Sequence, residues 1–259
     1  DAGYGDVSCY GQKNFKTPNV DALAAGGLKF TQHYSGSTVC APTRCCLMTG
    51  LHTGHAFVRG NREVKPVGQS PIPGDTVTVA KLLKKSGYRT GAFGKWGLGN
   101  PGSEGDPVNQ GFDEFYGYNC QRNAHTYYPT WLYHNLEKVK LDGKTYAHDL
   151  IMAEALSFIR ENKDGPFFCY LPWTIPHASM HVPEKYTAPF RKKFSKYENT
   201  VGRYKGPSVK NPVAAFAGMM VKMDEGVGQV TSLLKELGIE KDTVVLFTSD
   251  NGPHREGGH

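Results

Sequence analysis

Hydrophobic positions recur at helical spacing in three places along the chain. Val79, Leu82 and Leu83 share the face of one helix, which Asp75 or Thr76 caps and Gly87 stops. Ala147, Ile151, Ala155, Phe158 and Ile159 form the stripe of a second. Phe216, Met219, Met220, Met223, Val227, Val230, Leu234 and Leu237 mark a third, ended by Gly238. Its methionines read as core filling rather than a metal or cofactor box. A shorter helix is predicted over 42–50, with Pro42 near its first turn. Alternation predicts a strand over 28–33, a short strand reads over 88–93 after Gly87, and apolar runs predict strands over 166–171 and 243–247. Long loops are expected over 94–141 and 172–212.

Strands that alternate with helices predict an α/β domain with a mainly parallel sheet and helices on both faces. In such sheets the chemistry collects at the carboxyl ends of the strands. Polar residues stand at those positions: Lys95 after one strand, His177 after the next, Asp250 and Asn251 after the last. The 259 residues are 39% hydrophobic and 21% charged, enough for one large core, and no internal repeat divides them. The reading is one domain over 1–259.

Charge and cysteine content change this picture little. The net charge of +6 has no accompanying stripe or motif that points to nucleic acid. Its densest stretch runs through Arg191, Lys192, Lys193, Lys196, Arg203 and Lys205, and reads as a solvated loop or as a rim that attracts an anionic substrate. The six cysteines form no CxxC pair, so neither zinc nor a disulfide scaffold is indicated. No apolar run approaches the length of a membrane span. No signal peptide stands in the chain, which opens at Asp1 without an initiator Met, so nothing follows about a parent protein.

The informative segment is Cys40-Ala41-Pro42-Thr43-Arg44-Cys45-Cys46-Leu47-Met48-Thr49-Gly50. A Cys at a helix start has its thiolate favoured by backbone N–H groups and the helix dipole, and Arg44 one turn on adds a fixed positive charge. Alone, this also fits a buried Cys beside a structural Arg. The segment, however, resembles the C-x-P-x-R signature of type I sulfatases, with Thr43 where Ser is usual. The resemblance continues through Asp1-Ala2-Gly3-Tyr4-Gly5-Asp6, Thr17-Pro18-Asn19-Val20-Asp21, Gly94-Lys95-Trp96-Gly97-Leu98-Gly99, Gln110-Gly111-Phe112-Asp113, Pro176-His177, Met223-Asp224 and Ser249-Asp250-Asn251-Gly252.

That resemblance implies an alkaline-phosphatase-like three-layer αβα sandwich, truncated at both ends. The family places a further Asp before Asp1 on a first strand, a sulfate-binding Lys beyond His259, and a smaller carboxyl-terminal domain. It implies that Cys40 is oxidised to formylglycine by a formylglycine-generating enzyme. The hydrated aldehyde then attacks the sulfur of a sulfate ester, and the sulfated diol collapses to release sulfate. Cys40, Arg44, Lys95 and His177 are the implied catalytic residues. Lys95, His177 and His125 are expected to bind substrate, a sulfated small molecule or sulfated glycan. Asp1, Asp250, Asn251 and the Cys40-derived group are expected to hold Ca²⁺, with Mg²⁺ possible, because hard oxygen donors suit such cations. Asp6 reads equally well as a turn residue.

Gly97 stands where the family has a histidine, and His125, then His52 and His55, are the candidates to replace it. His33, His134, His148, His181, His254 and His259 read as structural or solvated. The tyrosine-bearing loop 119–129 suggests a wall for a sugar ring. A phosphonate or phosphate ester hydrolase on the same fold, or a glycan-binding relative without turnover, are the rival functions. The resemblance implies a periplasmic, extracellular or lysosomal location.

Overall fold

Apolar spacing and capping place helices α1 (Pro18–Gly26), α2 (Cys40–Thr49) and α3 (Val79–Lys85) ahead of strand β1 (Arg89–Lys95) in the computed structural model. Strands β2 (Glu114–Tyr118), β3 (Trp131–His134) and β4 (Glu137–Lys140) follow, then α4 (Ala147–Glu161) and β5 (Phe167–Tyr170). The chain continues through α5 (Glu184–Arg191), β6 (Val201–Gly202), β7 (Val209–Lys210) and α6 (Pro212–Glu236). The structure describes residues 1–204 and 206–258, so Lys205 and His259 lie outside the described residues. Two compact units form: one joins Asp1–Tyr34 to Ile175–His259, the other is Ser35–Thr174.

The unit Ser35–Thr174 is built on a five-stranded sheet in the order β4-β3-β2-β1-β5. β1 runs parallel to both β2 and β5, while β3 and β4 extend the β2 edge antiparallel. Side chains alternate across a strand, so neighbouring positions of β1 reach opposite faces. Ala92 joins Ala41 and Cys45 of α2, Ala80 of α3 and Phe115 of β2 in one buried cluster. Phe93 points the other way, its ring 5.3 Å from that of Phe158 on α4. Helices therefore cover both faces of a sheet with a parallel centre, the three-layer arrangement expected.

In the other unit, α6 is the organising element. Met219, Met220 and Met223 are buried, as core filling requires. The next residue, Asp224, is 2% exposed and caps α1 from outside. Its carboxylate accepts the backbone N–H groups of Asn19 (3.1 Å) and Val20 (2.9 Å) and the Asn19 side-chain amide (2.8 Å). Those N–H groups belong to the first turn of α1, where no intrahelical partner exists, and Thr17 supplies no side-chain cap. Asp224→Ala is expected to strip this cap and cost about 3 kcal/mol in denaturant unfolding. An unchanged midpoint would show that the carboxylate carries no such role.

Several elements differ from expectation. α3 is capped by Thr78, whose hydroxyl accepts the Lys81 N–H at 3.2 Å, and not by Asp75 or Thr76. The 94–141 segment holds β2, β3 and β4, and the 172–212 segment holds α5, β6 and β7. No strand forms over 28–33 or 243–247, and Leu28, Val244 and Leu246 are 86%, 85% and 83% exposed. β-propensity is realised only where a neighbouring backbone accepts the ladder, and neither segment pairs with a strand among the described residues.

Candidate active site

Cys40 is the first residue of α2, preceded by Val39 in an extended conformation (φ −138°, ψ 156°). The helix turns from there because Pro42 falls in its first turn, where a missing N–H costs nothing. The Ala41 N–H donates to Asn61 Oδ1 at 3.0 Å, a distant cap that no local motif announces. Gly50, at φ +68°, closes the helix by donating to the Cys46 carbonyl at 2.8 Å. The Thr43 hydroxyl donates to Ser37 O at 2.9 Å, a bond open to either hydroxyl residue. Cys40 and Arg44 are 6% and 5% exposed. Burial pushes the Cys45 thiol up from its ordinary value. All six cysteines are unbridged.

Arg44 ties α2 to the end of β1, its Nη1 donating to the Lys95 carbonyl at 2.5 Å. Lys95 is the last residue of that strand and only 2% exposed. Just before it, Gly94 sits at φ +141°, and a Cβ there would lie 2.3 Å from Pro172 O, so only glycine fits. Cys40, Arg44 and Lys95 are thus assembled within one unit at the carboxyl end of the parallel sheet.

The wall beyond Lys95 continues the strand pairing. The Trp96 N–H donates to Tyr118 O at 2.9 Å and the Gly97 N–H to Asn119 O at 3.3 Å. This brings the buried Gln121 alongside Gly97. His125 is buried at the end of a short 3₁₀ turn, Asn123–His125. His52 and His55, on the turn after α2, are exposed. Tyr127, in the loop that suggests a sugar wall, is fully enclosed and stacks on Tyr146 at 6.0 Å. Burial first, then Tyr146, Tyr118 and Cys40, raises its phenol well above the ordinary value, so it stays neutral. Arg122, Asn123 and Thr126 of the same loop line a cavity of about 230 Å³ with Trp131.

In the other unit, Asp1, His177, Asp250 and Asn251 come together from three segments. The Asn251 amide donates to Asp1 Oδ1 at 2.7 Å, and the backbone nitrogen of Asp1 donates to Asp250 Oδ1 at 3.0 Å. His177 Nε2 lies 3.5 Å from Asp1 Oδ2, and its ring meets Tyr204 edge-on at 5.5 Å. Asn251 is 8% exposed and its Oδ1 is buried without a hydrogen-bond partner. A lone-pair oxygen left unmatched beside two carboxylates is a set that fits a hard, oxygen-seeking cation. Asp6 instead serves a turn, accepting the Gly3 N–H at 2.7 Å.

The remaining sequence candidates are mostly structural. Arg191 is held by Glu184 (2.8 Å) and Glu198 (3.2 Å), and Lys193 donates to Asn14 O at 2.7 Å. His148 meets the Trp173 ring edge-on at 5.2 Å, and burial lowers the His181 pKa. His254 Nδ1 accepts the Glu256 N–H at 3.3 Å, while His33 and His134 are exposed. Among the described residues no helix is long and apolar enough to cross a membrane.

A family model described as Sulfatase matches residues 1–259. The chain is 31% identical to N-acetylgalactosamine-6-sulfatase of Rattus norvegicus, over 97% of its own length and 48% of the relative's. It is 34% identical to Arylsulfatase A of Homo sapiens, over 98% of its length and 50% of the relative's. Among solved structures it is similar to Ps i-CgsB in complex with k-i-k-neocarrahexaose, at 30% identity and a TM-score of 0.75. That match covers 92% of this chain and 54% of the other. The chain therefore spans about half the length of the curated relatives it matches.

Proposed function

The chain belongs to the sulfatase family, and from that premise we propose that it hydrolyses sulfate esters with a formylglycine made from Cys40. The observation that carries this reading is the buried Cys40 at the start of α2, with Arg44 one turn on and bonded to the Lys95 carbonyl. A hydrated formylglycine supplies a hydroxyl nucleophile and a second hydroxyl through which sulfate is later expelled. Arg44 and Lys95 place two positive charges in a buried setting, where they favour an anionic nucleophile and a sulfate group far more than in water. Asp1, Asp250 and Asn251 are the residues we assign to the cation, which when bound polarises the sulfate oxygens. Ca²⁺ suits an all-oxygen set with two carboxylates and an amide. His177, held near Asp1, is assigned to protonating the departing alcohol oxygen.

For the substrate we propose a sulfated carbohydrate. Support comes from the relative named N-acetylgalactosamine-6-sulfatase and from Ps i-CgsB, solved with k-i-k-neocarrahexaose. In this chain the cavity that Trp131 shares with Arg122 and Asn123 offers an aromatic face with a cation and an amide. The reading includes maturation by a formylglycine-generating enzyme and a periplasmic, lysosomal or extracellular location.

Co-production with that enzyme, followed by mass spectrometry of the Cys40 peptide, is expected to show the thiol replaced by an aldehyde. The matured protein is then expected to cleave an aryl sulfate faster than the matching aryl phosphonate. A faster phosphonate rate would make it a phosphonate ester hydrolase. An unmodified Cys40 with retained sulfated-glycan binding would make it a binding protein.

A further inference from the structure

Gln121 is a buried polar side chain whose amide N–H group finds no partner in the fold. It is 5% exposed, and its Nε2 is buried without a hydrogen-bond partner. Its backbone, in contrast, is well held: the Gln121 N–H donates to Gln69 Oε1 at 3.3 Å, and Gln69 is itself 2% exposed. An unmatched amide donor in a protein interior is destabilising, and one retained there points to a ligand that completes it.

Its surroundings identify that ligand's chemistry. Beyond the ends of β1 and β2 the two backbones stay paired, Trp96 to Tyr118 and Gly97 to Asn119. Gln121 therefore runs beside the residues that directly follow Lys95. Gly97 adopts φ +84°, and a Cβ built on it would lie 2.7 Å from Gln121 Nε2 and 3.0 Å from its Cγ. The glutamine thus fills the volume that any side chain at position 97 would need. A neutral N–H donor on the wall beside a buried lysine suits an oxyanion, because it adds a hydrogen bond without a further desolvated charge.

We propose that Gln121 is a substrate-binding residue, its side-chain amide donating to an oxygen of the sulfate group held at Lys95. This rests on the sulfate-ester reading above and extends it to a residue with no sequence motif. Gln121→Met keeps the side chain's length and removes the amide, the unmatched donor with it. If the amide serves the fold, this change lowers stability. If it serves an anion, stability is kept or raised and anion affinity falls.

The test is titration of the unmatured chain with sodium sulfate by calorimetry, together with thermal unfolding, for the parent, Gln121→Met and Lys95→Met. Gln121→Met is expected to unfold at or above the parent's midpoint and to bind sulfate about tenfold more weakly. Sulfate affinity equal to the parent's, or a lowered unfolding midpoint, overturns the assignment of Gln121. If Lys95→Met loses affinity while Gln121→Met does not, the sulfate-ester reading stands and only this assignment falls. A parent that binds no sulfate overturns the assignment of Gln121, while the sulfate-ester reading is decided separately by turnover of the matured protein.

Discussion

Cys40→Ala is expected to lower sulfate-ester turnover of the matured protein by a factor on the order of 10⁴ or more, leaving the fold intact. The catalytic effect is large because the nucleophile itself is removed, and neither Arg44 nor Lys95 can take its place. The structural effect is small for reasons visible in the site. Cys40 is the first residue of α2 and its neighbour Ala41 carries the distant cap from Asn61, a bond the substitution leaves in place. Alanine is also the better helix former. Loss of one sulfur from a 6% exposed position is expected to cost about 1 kcal/mol. Cys45→Ala makes the matching control. Its thiol is buried against the sheet and pushed up in pKa, so turnover is expected to survive that change. Full sulfatase activity in Cys40→Ala would remove the central proposal.

Much of this arrangement was legible in the chain, and the parts that were not share a physical cause. α2, α4 and α6 carry their own signals: an apolar stripe, a proline near the first turn in α2, and a glycine at the end of α2. β5 is a short apolar run and β1 a short strand that follows the Gly87 stop, and the two pair in parallel, as a mainly parallel sheet requires. β2 was hidden because Phe115, Tyr116 and Tyr118 sit among glycines and asparagines, and its pairing with β1 is a long-range contact. α5 has Pro189 inside it and a charged exterior, which masks its period. The converse error, strands over 28–33 and 243–247, shows that alternation and an apolar run alike state a tendency which needs a partner backbone.

The site divides in the same way. Cys40, Arg44, Lys95 and His177 stood out because their residue types and local motifs match a known chemistry. Gln121 and Asn61 did not, since an amide acquires meaning only from what faces it. Chemistry alone suggests the tyrosines of the 119–129 loop as a sugar wall. The structure turns Tyr127 into the interior and leaves Arg122 and Asn123 on the cavity instead.

The cation assignment leads to the second large effect, a stability that depends on Ca²⁺ and is lost on Asp250→Ala. Asp1, Asp250 and Asn251 converge within one unit, where Asn251 Nδ2 holds Asp1 Oδ1 at 2.7 Å and Asn251 Oδ1 is left without a partner. A cation bound there would match the buried Asn251 oxygen and offset the negative charge that Asp1 and Asp250 concentrate in one place. Added Ca²⁺ is therefore expected to raise the unfolding midpoint, by an amount that grows with the logarithm of its concentration, and a chelator to reverse the rise. Asp250→Ala removes one of the two carboxylates and is expected to abolish the Ca²⁺-dependent rise. In the matured protein it is expected to reduce turnover by at least 10²-fold. Asn251→Asp tests the same site from the opposite direction. It replaces the N–H that holds Asp1 with a third negative charge, so the variant is expected to be less stable than the parent in chelator and to gain more from Ca²⁺. Calorimetric titration decides the matter: Ca²⁺ binding by Asp250→Ala equal to the parent's would place the cation elsewhere.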